Sequence, residues 1–147
     1  MKQLLDILED FRTSGVFRLE GDISAKELSN ISKQHGLAFF LLDGAKITNK
    51  EQFLKEAAVQ LQFPDYFGAN WDAFEDCLTD MSWHEAGGYV IMFDGAAAFA
   101  ERSPEQFNMA VQIFRSCAEF WRDRNRLFLV MLSGLGDKGK ELPAISP

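Results

Sequence analysis

Residues 64–80 read Pro64-Asp65-Tyr66-Phe67-Gly68-Ala69-Asn70-Trp71-Asp72-Ala73-Phe74-Glu75-Asp76-Cys77-Leu78-Thr79-Asp80, and the rest of the chain is arranged around them. Asp65, Gly68 and Asn70 are turn formers, and the Asn70 side-chain oxygen is placed to accept from a free backbone N–H one turn on, so a helix is expected from about Trp71. Trp71, Phe74, Leu78 and Met81 recur at spacings of three and four, which makes one apolar stripe suited to a core. Asp72 and Asp76 stand four apart on another face with Glu75 and Asp80 close by, and the stretch contains no Lys or Arg. Like charges at that spacing cost a helix roughly 0.2–0.5 kcal/mol. The helix dipole offsets some of this at Asp72 but opposes Asp76 and Asp80 near the other pole. Stability alone would not select this face.

Working outward, an all-apolar run lies on each side of the stretch. Residues 37–42 end at Asp43-Gly44, residues 89–93 end at Asp94-Gly95, and a third run covers 127–132. Each has the length and punctuation of a buried strand. Between the first run and the central stretch, Thr48-Asn49-Lys50-Glu51 has the form of a capping box, and Phe53, Leu54, Ala57, Ala58 and Leu61 give the helix after it an inner face that ends at Phe63-Pro64. After the second run, residues 96–100 form a short alanine-rich helix. Ser103-Pro104-Glu105-Gln106 then opens a long one with the stripe Phe107, Ala110, Val111, Phe114, Ala118 and Trp121, closed by Arg122, Arg124 and Arg126. Short apolar strands separated by helices imply parallel pairing with helices covering the sheet, a small α/β sandwich.

The flanks are plainer. Leu4, Leu5, Leu8 and Phe11 mark a short amphipathic helix over residues 1–12, residues 16–19 a strand, and Ser24-Ala25-Lys26-Glu27 the capping box of a helix that Gly36 stops. Residues 1–36 are therefore a helix-strand-helix attachment without a chemical motif. The Gly, Lys and Pro of residues 134–147 suggest a tail with little fixed structure. That tail spells G-x-G-x-x-G over residues 134–139, but too close to the end for the helix and second strand a dinucleotide site requires.

Composition narrows the function. The 147 residues, 47% hydrophobic, suffice for one domain with a real core, and no apolar run is long enough to span a membrane. Asp6, Glu9 and Asp10 do not suit a signal peptide, and Cys77 and Cys117, without metal-ligand spacing, read as free buried thiols; a cytoplasmic protein is expected. His35 and His84 lack partners at ligand or catalytic spacing, so no metal site, cofactor or catalytic residue is expected. Net charge is −7, and residues 56–101 carry nine acids with no Lys or Arg. Such a field attracts basic partners, raises their association rate and disfavours nucleic acid.

Tyr66-Phe67-Gly68, Asn70, Asp72-Ala73 and Asp76-Cys77-Leu78-Thr79 resemble the signature of the barstar family, intracellular inhibitors of barnase-type ribonucleases. The likeness runs over about residues 37–132 and includes the Asp43-Gly44 turn and Gln112-Ile113-Phe114-Arg115. It implies a three-stranded parallel sheet packed against helices, with residues 37–133 as the barstar-like domain. It also implies a helix that plugs a basic nuclease's active site together with the loop before it, Asp76 standing in for substrate phosphate. Asp72 matches the family's other interface aspartate and Tyr66 the aromatic that packs on the enzyme, while Gly68, Asn70 and Thr79 supply supporting contacts. Glu75 stands where the family has a Trp, Met81 where it has a later interface Trp (Trp83 follows two residues on), and Ser116 where it has an acid. Carboxylates on a rigid helix would satisfy the Arg, Lys and His donors of a ribonuclease cleft. The best-known case of electrostatically steered association comes from this family, so its direction and not its size is carried over.

Helix carboxylates are ordinarily just a solvated face, and Trp71 and Phe74 are read as core. The missing counter-charges and the surrounding motif favour a binding role for Asp72, Glu75, Asp76 and Asp80, and the resemblance implies one for Tyr66, Gly68, Asn70 and Thr79. The expected function is a non-enzymatic ribonuclease inhibitor, an immunity protein acting by phosphate mimicry. The alternative is a barstar-like adaptor whose partner is not a nuclease.

Overall fold

A computed structural model describes residues 2–65 and 67–147. In chain order the elements are β1 (Lys2–Gln3), α1 (Leu4–Leu8), β2 (Gly15–Leu19), α2 (Ala25–Gln34), β3 (Ala38–Asp43), α3 (Lys50–Gln60) and α4 (Trp71–Asp80). Then come β4 (Gly88–Asp94), α5 (Ala97–Arg102), α6 (Pro104–Arg122), β5 (Leu127–Leu132) and β6 (Ala144–Ser146). All pairings are parallel, as expected. The strand count is not: the sheet has six strands in the order β1-β6-β2-β5-β4-β3, five without the two-residue β1, where three were expected. The three apolar runs form one half, β5-β4-β3. The N-terminal segment contributes β2, which pairs with β5 through Gly15↔Leu129 to Arg18↔Leu132, and the C-terminal end contributes β6.

Strand alternation sends side chains to two separate cores. Tyr89, Ile91, Phe93, Phe128, Val130 and Leu132 face the layer α3–α6, whereas Val90, Met92, Leu127, Leu129 and Met131 face Leu4, Ile7, Leu8 and Leu28 of α1 and α2. Both faces of β4 and β5 are thus covered, which is why these strands carry no alternation in sequence. β3 is the edge, and there burial does alternate: Ala38, Phe40 and Leu42 are buried, Phe39 and Leu41 half-buried. Its exposed side is guarded at one end by buried Glu56 of α3, whose carboxylate accepts the Asp43 N–H at 3.0 Å. Gly44 lets two turns meet backbone to backbone, since a Cβ there would overlap the Gly95 carbonyl oxygen.

Several local expectations shift. The N-terminal helix is only five residues, followed by a 3-10 turn at Phe11–Thr13, and it buries Ile7 while Leu5 is exposed, because the chain enters from β1 rather than from a free end. The cap of α3 is Asn49, accepting from Gln52 N–H, and Gln52 reaches back to Thr48 instead of Glu51 doing so. Ser103 precedes Pro104 as expected, but its hydroxyl donates to the Thr48 carbonyl and caps nothing. The Ser24 box forms as read. Residues 134–147 do not behave as a loose tail: Leu135, Leu142 and Ile145 are buried, a 3-10 turn covers Gly136–Gly139, and β6 sits inside the sheet. Three spaced apolar anchors outweigh the local flexibility of glycine.

Candidate functional site

α4 begins where Asn70 Oδ1 accepts the Ala73 N–H at 2.8 Å, while Asn70 Nδ2 donates to the Gly68 carbonyl at 3.3 Å. Ala69 between them is left-handed at φ 52°, so the loop turns sharply into the helix. Tyr66 lies outside the described residues; Phe67 beside it packs edge-on against Phe63 at 5.0 Å. The helix ends at Met81, also left-handed at φ 50° and buried, so Met81 belongs to the core and presents no interface ring. Trp83 is half-buried with its indole N–H donated to the Leu61 carbonyl at 3.1 Å, latching the loop after α4 to the end of α3.

The inner face of α4 is fixed by aromatic packing. Phe74 is fully buried, its ring 5.3 Å from Phe53 and 5.7 Å from Phe114, both edge-on. Two indoles pin the helix at opposite ends: Trp71 Nε1 donates to Gln106 Oε1 at 2.9 Å, and Trp121 Nε1 donates to the Leu78 carbonyl at 2.8 Å. These partners lie 35 and 43 residues away in sequence, so Gln106 and Trp121 gave no local signal of their part in holding the helix. Cys77 and Cys117 are free and buried here. Burial pushes both thiols above their ordinary range, with the negative charge of Asp76 and Asp80 adding to the effect at Cys77, and thiols so held stay protonated and unreactive.

The outer face carries the residues singled out in sequence. Gly68, Asn70, Asp72, Asp76 and Asp80 are exposed, and Glu75 and Thr79 half-buried. Among the described residues no Lys, Arg or His forms an ion pair with Asp72, Glu75 or Asp76. Neither aspartate of the i, i+4 pair points inward or is neutralised by the chain's own arginines. Thr79 donates its hydroxyl to the Glu75 carbonyl at 2.9 Å, so that group is occupied within the helix. Ser116 is exposed on α6. His35 places Nδ1 2.9 Å from the Ile31 carbonyl oxygen and His84 packs on Phe40, both structural. Among the described residues no group of three or more His, Cys, Asp or Glu is placed to hold a metal, and no helix is long and apolar enough to cross a membrane.

Fold and surface together define a class: a small parallel α/β protein that displays one pre-formed acidic helix, held from behind by aromatic rings and indole hydrogen bonds. The family described as Barstar (barnase inhibitor) matches residues 37–133, about two thirds of the chain, from the start of β3 to just past β5. The chain belongs to the barstar family, with residues on both sides of the matched segment joining the same sheet. No curated protein matches it.

Proposed function

We propose that this protein inhibits a basic, barnase-like ribonuclease by laying the outer face of α4 and the loop before it across the enzyme's active site, in the cytoplasm, as an immunity protein. The observation that carries the reading is a helix fixed from beneath whose carboxylates Asp72 and Asp76 face solvent beside half-buried Glu75, none of the three in an ion pair among the described residues. Asp72 and Asp76 are one turn apart, about 6 Å along the axis at 1.5 Å per residue. Two anionic groups at that separation suit a cleft whose donors bind successive phosphates of a strand. Asp76, central in the face, is the phosphate mimic. Asp72, Glu75 and Asp80 extend the field, and Tyr66, Gly68, Asn70 and Thr79 shape the approach.

Because α4 is pinned at both ends before any partner arrives, little ordering entropy is lost on binding. The acidic face steers a basic enzyme toward itself, so added salt slows association more than it speeds dissociation. The test is titration of the purified protein into a barnase-like ribonuclease with an RNA substrate. Cleavage should stop near one inhibitor per enzyme, and undiminished cleavage at large molar excess would sink the proposal.

A further inference from the structure

We infer that the open edge of β3 pairs with the β3 edge of a second copy of this chain, antiparallel and centred on Phe40, so that two sheets join into one. In an extended strand the N–H and C=O of one residue point to the same side, and that side alternates from residue to residue. Asp43 donates away from β4, to the Glu56 carboxylate of α3, so Leu41 and Phe39 before it also turn their backbone groups outward. Leu37 has the same parity, and its N–H is taken by the Ser32 carbonyl of α2 at 3.0 Å. The edge is therefore closed at both ends and open between them. Among the described residues the outward N–H and C=O of Phe39 and Leu41 have no partner, and no strand lies beyond β3.

These free groups are spaced symmetrically about Phe40, which makes them a self-complementary set. A two-fold axis through Phe40 sets Phe39 of one copy against Leu41 of the other and the reverse, each pair exchanging both backbone hydrogen bonds. Such a contact uses the same patch on both copies and closes at two.

Charge selects the second copy over any other extended chain. The axis brings the Leu37 end of one strand beside the Asp43 end of the other, and the two ends are oppositely equipped. At the Leu37 end, exposed Lys33 and Glu85 line a groove of about 430 Å³ that also takes in Phe39 and Phe40. At the Asp43 end, exposed Lys46 and Lys55 gather around the flank of α3 that carries Glu56. Lys33, Lys46, Lys55 and Glu85 form no ion pair among the described residues. Asp43 shares the parity of Phe39 and Leu41, whose side chains pack on the α1 and α2 layer, and Lys33 belongs to α2. Lys33 of one copy therefore comes beside Asp43 of the other on that face. Glu85 follows His84, which packs on Phe40 on the α3 face, and there it comes beside Lys46 and Lys55 of the other copy. Val59, 61% exposed on the same flank of α3, adds an apolar contact along the seam. An unrelated peptide would satisfy the backbone groups alone, whereas a second copy satisfies them and both charged ends. The pairing uses no residue of α4, so it is independent of the acidic face.

The test is sedentation equilibrium of the full chain over a concentration series, with amide hydrogen exchange followed by NMR on dilute and concentrated samples. A monomer–dimer equilibrium is expected with a Kd of about 100 µM or tighter. The Phe39 and Leu41 amides should exchange freely when dilute and become protected when concentrated, while Ala38, Phe40 and Leu42, bonded to β4, stay protected in both. Leu41→Pro removes an N–H that points away from β4, where a strand tolerates proline, and should leave a monomer. Lys33→Glu, at an exposed residue without an ion pair among the described residues, should leave the fold in place and weaken the dimer about tenfold by setting like charges together at both ends. Asp76→Ala should leave self-association unchanged. A monomer at every concentration up to about 1 mM would overturn the proposal. So would a dimer in which Phe39 and Leu41 stay unprotected, one indifferent to Lys33→Glu, or growth past two copies.

Discussion

Under α3–α6 the sheet meets a lattice of rings, with Phe53, Phe74, Phe93, Phe99 and Phe114 within about 6 Å of one another in a connected chain of contacts. Under α1 and α2 it meets aliphatic chains and methionine: Leu4, Ile7, Leu8, Leu28, Met92 and Met131. The two cores bury comparable strands, yet among the described residues only the aromatic one adds long-range indole hydrogen bonds between a surface helix and its neighbour. A face of like charges cannot hold its own helix in place, so the aromatic layer does it from beneath. The aliphatic layer has the simpler task of keeping water off the second face of β4 and β5.

That contrast can be broken most drastically by removing residues 2–36. Val90, Met92, Leu127, Leu129 and Met131 would lose their cover, and at roughly 1.5–3 kcal/mol for each large apolar side chain the loss reaches the whole stability of a small domain. No cooperative unfolding transition is expected from the truncated chain; a sharp one near that of the full protein would show that the second layer is dispensable. Next in size, Phe74→Ala should cost about 3–5 kcal/mol in urea denaturation, because its ring is fully buried among Phe53, Trp71 and Phe114. A cost below about 1 kcal/mol would mean the aromatic layer is not what fixes α4.

Asp76→Ala sharpens the comparison from the other side. Exposed and without an ion pair among the described residues, it should leave stability within about 0.5 kcal/mol while weakening ribonuclease binding by about 2 kcal/mol or more, and Asp80→Ala should weaken binding much less. Equal losses from the two in a binding titration would mean that the contact face is misplaced along the helix. The smallest effect concerns pH. Burial raises the Cys117 thiol above its ordinary value of 9.0, so the unfolded chain releases that proton first. The stabilisation is complete below about pH 9 and declines as pH rises further, by at most about 1.4 kcal/mol per unit for the one group. Denaturation midpoints at pH 8 and pH 10 should therefore converge in Cys117→Ala relative to the parent, and an unchanged gap would rule the thiol out as its source.

Much of this was legible in sequence where the information is local. The Asn70 and Ser24 caps, the apolar runs of β3, β4 and β5, and the exposed placement of Asp72 and Asp76 all follow from spacing within a few residues. What escaped was non-local. Residues 144–146, Ala-Ile-Ser, carry no strand pattern of their own and become β6 only because β2 offers an open edge. The phase of α1, which turns Ile7 inward and Leu5 out, goes with its entry from β1, a pairing with residues 145–146 that lies far off in sequence. Of the site, the acidic face could be read directly, whereas its fixing by Gln106 and Trp121 depends on contacts no short window contains.

The order of strands has a consequence in time. β6 lies between β1 and β2, so residues 2–3 have no strand to pair with until residues 144–146 have emerged. A nascent chain halted just after β5 would hold the acidic helix complete and its opening strand still waiting. The sheet of this protein closes last at its β1 edge, with Lys2 against Ile145 and Gln3 against Ser146.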